Sequence, residues 1–131
     1  MERVSQTSSP HSVLMEHCLS RQVLDLIADK WTALIFALPE KQPTRFNELE
    51  RAIEGISHKM LTQTLRNLEH RGIVTRKITP TIPPAVEYSL SPLGATLIPI
   101  MAALRQWAEE HMEEVEQACQ AYEEKKEKAD Y

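Results

Sequence analysis

Glycine is scarce in these 131 residues, with only Gly55, Gly72 and Gly94. No glycine-rich loop of the kind that cradles a phosphate can be built from three such dispersed positions. Cysteine is scarcer still. Cys18 and Cys119 lie about 100 residues apart, too few for a disulfide framework and wrongly spaced for a Cys-x-x-Cys metal or redox motif. The five histidines, His11, His17, His58, His70 and His111, show no His-Glu-x-x-His or other ligand spacing, and no Ser/His/Asp arrangement can be assembled. The expectation is a protein that is not an enzyme and holds no metal and no cofactor. Apolar residues reach 42%, enough for the core of one domain. No apolar run approaches the roughly 18 residues of a membrane span. The opening MERVSQTSSPHSV has no hydrophobic stretch of the signal-peptide kind. A cytoplasmic location without a membrane partner is therefore expected.

The formal charge of −4 argues at first against a polyanionic partner, but its distribution reverses the argument. Residues 41–87 carry eight basic and five acidic side chains, whereas residues 105–131 carry four basic and nine acidic. A polyanion would meet the basic middle and avoid the acidic end. Ordinary variation of surface charge would produce the same numbers, so the pattern needs a structural context.

Hydrophobic periodicity supplies one. Residues 1–12 are polar and read as a flexible segment. From Val13 to Leu38 the spacing is helical, with Val23, Leu24, Ile27, Trp31, Leu34, Ile35 and Leu38 recurring at three- and four-residue steps. Asp29 reads as the N-cap of a second helix, Pro39 as its end, and Glu40–Pro43 as a turn. Thr44 reads as the cap of a short helix with Phe46, Leu49 and Ile53 on one face, broken at Gly55. Ser57 caps the next helix, in which Met60, Leu61, Thr64, Leu65 and Leu68 form the inward stripe. Gly72 suits the left-handed position after its last turn. The runs Ile73–Thr79 and Val86–Leu90 read as strands flanking a loop stiffened by Pro80, Pro83 and Pro84. Ser91-Pro92 opens a final helix expected to reach Tyr122 with a kink at Pro99, followed by a charged tail, 123–131. Three segments result: 1–12, a domain spanning 13–122, and the tail. The fold class is mainly α with a small β-hairpin, in the element order of a winged helix-turn-helix.

In that order the helix after Ser57 has the properties of a DNA reader. One side is held by the protein. The other offers Lys59, Thr62, Gln63, Arg66 and His70. Gln pairs bidentately with adenine, Arg and Lys with guanine or phosphate, and a capped helix N-terminus accepts a phosphate through free N–H groups. A solvated amphipathic helix shows the same pattern; the hairpin directly after it, with Arg76 and Lys77, shifts the balance toward the DNA reading. The prolines of the hairpin either stiffen a DNA contact or simply protect a sheet edge. The candidate DNA-binding set is Arg45, Ser57, His58, Lys59, Thr62, Gln63, Arg66, Arg76 and Lys77.

The last helix has apolar residues on more than one face. A second copy of the chain would cover them, with Val13, Leu14, Ile100, Leu104, Trp107 and His111 as candidate interface residues; the N-terminal segment of the same chain would be the alternative cover. A twofold dimer would present two reading helices to a palindromic operator in double-stranded DNA. Cys18 reads either as a small buried hydrophobe or as a sensing thiol perturbed by His17 and Arg21.

Four segments together, VLDLIADKWTALI (Val23–Ile35), the stretch Arg45–Arg76 with its GISHKMLTQ and LxxLE, PPAVEYSLSPLG (Pro83–Gly94) and Trp107–His111, resemble the HxlR-type helix-turn-helix regulators, relatives of the MarR group. The resemblance runs from Cys18 to about His111. It implies a dimeric winged-helix transcription factor whose helix Ser57–Glu69 enters the major groove, with N- and C-terminal helices building the dimer. It also implies a redox or electrophile sensor at Cys18, where several members carry one. Three departures accompany it. Leu19 follows Cys18 where the family commonly has proline, so the first helix is expected to run through Cys18 and remove the helix N-terminal field from the thiol. Ala85 replaces a basic wing residue, and the turn Glu40–Pro43 lacks the usual glycine. The function expected is a homodimeric, sequence-specific regulator, more often a repressor, responding to an oxidant or electrophile. A ligand-gated regulator with an apolar cleft near Trp107 and a winged-helix protein-interaction module are the alternatives.

Overall fold

The structure is a computed structural model and describes residues 12–15, 18–38 and 43–128. The sequence readings at residues 1–11, His17 and Pro39–Gln42, and at the end of the tail, lie outside those residues. Helix α1 (Leu19–Ile27) and helix α2 (Lys30–Ile35) are separated where expected, because the Asp29 carboxylate accepts the Trp31 N–H at 3.0 Å. α2 stops three residues short of Leu38. The last turns there are tightened, Ala37 N–H donating to Leu34 and Leu38 N–H to Ile35, and a residue preceding proline avoids the α region.

Thr44 does not cap a helix. It pairs with Tyr88, and with Arg45 forms a short strand, β1 (Thr44–Arg45). The helix that follows, α3 (Phe46–Ala52), is closed by Glu48, whose carboxylate accepts the Arg45 N–H at 3.0 Å. Gly55 then turns the chain at φ 89°.

The central element is α4 (His58–His70). Ser57 Oγ accepts the Met60 N–H at 3.0 Å, satisfying one of the free donors of its first turn. At the other end Gly72 adopts φ 78°, with Ile73 N–H bonded to Leu68 O and Gly72 N–H to Glu69 O. This is the Schellman arrangement, and it buries Ile73 beneath the helix end. Leu61, Leu65 and Leu68 are at most 1% exposed and pack with Leu49, Ile53, Ile56, Ile73, Val74 and Met101. Each such leucine contributes about 2 kcal/mol of transfer free energy. Thr64 fits this face because its hydroxyl donates to the Met60 carbonyl at 2.8 Å. Met60 lies at the edge of the stripe and is 37% exposed.

Strands β2 (Val74–Thr79) and β3 (Ala85–Leu90) form the hairpin, and the sheet order is β1-β3-β2, all antiparallel. β3 is therefore central. Its residues are all half-buried rather than alternating, since Glu87 and Ser89 on the outer face are shaded by neighbours on β1 or β2.

The expected single final helix is three. In α5 (Pro92–Ala95) the Ser91 hydroxyl accepts the Gly94 N–H and donates to the Gly72 carbonyl, with the Ile73 carbonyl 3.1 Å away. Gly94 allows this approach, because a Cβ there would stand 2.1 Å from the Ile73 carbonyl oxygen. The chain re-starts as α6 (Ile98–Glu110), with Pro99 inside its first turn, where a missing N–H costs nothing. Pro99 thus begins a helix instead of kinking one. A second break at His111 precedes α7 (Met112–Lys128), which continues six residues past Tyr122. No helix among the described residues is long and apolar enough to cross a membrane.

Candidate nucleic-acid interface

At about 100° per residue, Lys59, Gln63, Arg66 and His70 share an arc of roughly 60° centred opposite the buried leucines. All four are exposed. One flank of the arc faces the hairpin: His58 and Thr62 line a groove with Arg45, Asn47, Arg76 and Tyr88. The other flank faces α1, where Gln63, Asn67, His70 and Arg71 line a polar groove with Gln22 and Asp25. Arg71 donates to the Gln22 side chain at 2.9 Å, tying the end of α4 to α1.

The side chains around this arc are held by their neighbours. The His58 ring sits 4.9 Å from Phe46, tilted by 59°, and its Nδ1 is 3.6 Å from Glu50 Oε2. Arg45 Nε is 3.8 Å from Glu87 Oε2. Arg76 Nε is 3.3 Å from Glu69 Oε1. Adjacent residues of a strand point to opposite faces. Arg76 accordingly faces α4, whereas Lys77 lies beside Glu87, which in turn pairs with Arg45 on β1. The half-buried Tyr88 packs against the core, and burial raises its phenol above the ordinary value. At the hairpin tip the Thr81 hydroxyl donates to the Pro83 carbonyl at 2.8 Å, within a loop from Pro80 to Pro84.

Of the nine residues read from sequence as DNA contacts, Ser57, His58, Lys59, Thr62, Gln63 and Arg66 fall on or cap one helix, and Arg45 joins them through β1. Asn47 and Tyr88 line the same groove and were not anticipated. Asn47 sits on the polar side of a short helix, and nothing in its spacing distinguishes it from solvated surface. Among the described residues, no three His, Cys, Asp or Glu side chains gather as a metal site.

Cys18 is placed differently from the expectation. α1 does not run through it. Cys18 has φ −76° and ψ 139° and stands at the N-cap position. Its Sγ is 3.0 Å from the Ser20 hydroxyl. That hydrogen bond first, then the Ser20 backbone N–H, holds the thiol below its ordinary value; Arg21 contributes through its backbone N–H. Beside it, Leu19, Val23, Ile73, Leu93 and Leu97 line an apolar groove.

Of the candidate dimer residues, Val13, Leu14, Ile100, Leu104 and Trp107 are exposed and His111 is half-buried. Val13 and Leu14 lie in a turn. Ile100, Leu104 and Trp107 are 57, 54 and 56% exposed along one side of α6, which buries only Met101. The His111 ring stacks on Trp107 at 4.7 Å and 16°, with its Nδ1 2.9 Å from the Trp107 carbonyl. α7 buries nothing. The break at His111 shifts the apolar stripe by one residue, to Met112, Val115, Cys119 and Tyr122.

A capped helix with a buried back and an exposed polar front, followed by a three-stranded sheet with a projecting hairpin, defines a winged helix-turn-helix transcriptional regulator. The chain belongs to the HxlR-like helix-turn-helix family, whose model matches residues 26–116. It is similar to the HTH-type transcriptional regulator YtfH of Escherichia coli, 40% identical over 112 residues, 86% of this chain and 89% of that protein. Among solved structures it resembles the transcriptional regulator ytfH from Salmonella typhimurium, with a TM-score of 0.79, 37% identity, and coverage of 84% of this chain and 98% of that one. It also resembles the redox regulator HypR in its oxidised form, with a TM-score of 0.64, 41% identity, and coverage of 71% and 96%. The reduced form of HypR is similar as well, with a TM-score of 0.68 and 39% identity over 75% and 97%.

Proposed function

We propose that the chain is a homodimeric repressor that reads an inverted-repeat operator in duplex DNA through α4 and releases it when Cys18 is oxidised or alkylated. The observation that carries the reading is the exposed arc Lys59–Gln63–Arg66, backed by the buried Leu61, Leu65 and Leu68. Held in this way, the arc fits the width of the major groove. Ser57, His58, Thr62 and Arg45 flank it as phosphate contacts, and the hairpin supplies Lys77, with Arg76 at its junction with α4. The uncovered apolar sides of α6 and α7, with Val13 and Leu14, support a second copy as their cover, since monomers rarely leave so continuous a patch in water. Twofold pairing presents two readers to half-sites about one helical turn, or a multiple, apart.

Cys18 supports the sensing half. At a helix N-terminus the thiolate is favoured by the positive end of the helix and by the Ser20 hydroxyl and backbone N–H. A peroxide would be attacked by the thiolate sulfur. The O–O bond breaks, hydroxide leaves, and the sulfur becomes a sulfenic acid as the peroxide is reduced by two electrons. The name of HypR as a redox regulator supports this reading by similarity. The groove lined by Leu19, Val23 and Leu93 favours a second reading, a regulator gated by an apolar ligand without thiol chemistry.

Gel shifts against an inverted-repeat duplex at two salt concentrations test the proposal. Affinity should fall steeply with salt and fall again on oxidation. A Cys18→Ser variant should bind as well as the parent and ignore the oxidant. Retention of the response in that variant would favour the ligand-gated reading.

A further inference from the structure

Where the reading helix meets the hairpin, Glu69 and Arg76 face one another across a 3.3 Å ion pair. Glu69 lies in the last turn of α4, on the flank that carries Thr62. Arg76 stands on β2 directly opposite Tyr88. The charges of Arg76, Glu69 and Arg66 all reach the Tyr88 phenol, so the four groups form one cluster at the junction. Lys77 is outside it, on the other face of the hairpin beside Glu87.

The side chains of the pair are 44% and 36% exposed, and such a pair contributes little to folding. Its consequence is for what Arg76 is free to do. A guanidinium held at Nε by a carboxylate keeps its terminal N–H groups but has its charge largely compensated, and Glu69 itself repels a phosphate brought close. Phosphate contacts supply sequence-independent affinity, while base contacts supply discrimination. We propose that Glu69 is an internal counter-anion that withholds Arg76 from the DNA backbone. Glu69 thereby makes Arg76 a positioning residue, one that sets the hairpin against α4, and keeps binding selective. The proposal rests on the DNA-binding reading of α4 and assigns the hairpin's phosphate contact to Lys77.

Glu69→Gln, Arg76→Gln, the double variant and Lys77→Gln, each checked for an unchanged thermal melt, are measured by fluorescence anisotropy. The probes are a selected operator duplex and a random duplex, over a series of salt concentrations. Glu69→Gln should bind random duplex roughly five- to tenfold tighter near 0.1 M salt, with a salt slope steeper by about 0.9, the increment for one added phosphate contact. The ratio of operator to random affinity should fall accordingly. Arg76→Gln should leave the slope unchanged, whereas Lys77→Gln should make it shallower by about 0.9. In the double variant the gain of Glu69→Gln should vanish. A gain that survives in the double variant would make Glu69 a simple repulsive charge and overturn the proposal. So would a slope that falls with Arg76→Gln as much as with Lys77→Gln. Failure of the parent protein to bind any duplex would remove the DNA-binding reading, and the proposal with it.

Discussion

α4 and α7 are both long amphipathic helices, yet the molecule uses them in opposite ways. α4 has three leucines at most 1% exposed and turns a cationic arc outward; α7 buries no residue and carries six of its glutamates in seventeen positions. The difference lies in what covers the apolar side. For α4 the cover is in the same chain, so the helix is rigid before any partner arrives. For α7 no described residue buries the apolar side, which leaves it open to the second copy proposed above. A reader needs the first condition and an assembly element the second.

That contrast breaks most visibly in the core. Leu65→Ala should destabilise the fold by about 2–5 kcal/mol, read as a lowered denaturant midpoint. Val115→Ala on α7 should leave the folding of the monomer unchanged. Next comes the assembly side. Leu104→Glu on α6 should convert a dimer to a monomer in sedimentation and weaken operator binding by on the order of 100-fold, because the two half-sites are no longer joined. A dimer that survives with both Leu104→Glu and Trp107→Glu would place the interface elsewhere.

The reading arc should respond more modestly. Arg66→Ala and Gln63→Ala should each lose about 1–3 kcal/mol of discrimination between operator and mismatched sites. Lys77→Ala should weaken binding to all duplexes alike. Equal losses on specific and random DNA for all three would contradict that division.

The smallest effect concerns the thiol. With its pKa lowered on folding, Cys18 favours the thiolate in the native state. That linkage is present above the unfolded-state pKa and is lost as pH falls through the folded one. Alkylation of Cys18 by iodoacetamide should therefore rise at lower pH than for a model peptide thiol. Ser20→Ala should move the profile upward, since the Ser20 hydroxyl is the largest cause of the shift. An unmoved profile would remove Ser20 from the account.

The sequence carried α4 well because its signals agree: Ser57 before, Gly72 after, and four of the five stripe residues buried. Weak or conflicting local signals explain the differences. β1 is two residues long, below the length at which alternation can be seen, and exists only because β3 has a free edge. The breaks after Ala95 and at His111 contain no helix-terminating glycine, and Pro99 drew attention to the wrong place. Leu19 after Cys18 suggested a continuous helix, although the chain enters α1 at that residue. The two cations Arg76 and Lys77 look equivalent in a string of letters. Only strand geometry gives them opposite faces, and only the fold brings Glu69 to one of them.

Whether the arc Lys59–Gln63–Arg66 reads duplex DNA decides the function of the whole molecule. Selection of bound sequences from a random duplex pool, run in parallel with the parent protein and with Arg66→Ala, tests it most directly. The expected outcome is an enriched inverted repeat with half-sites about one helical turn, or a multiple, apart, and loss of preference at one position in each half-site for the variant. An unenriched pool, or the same motif at the same strength from both proteins, would contradict it.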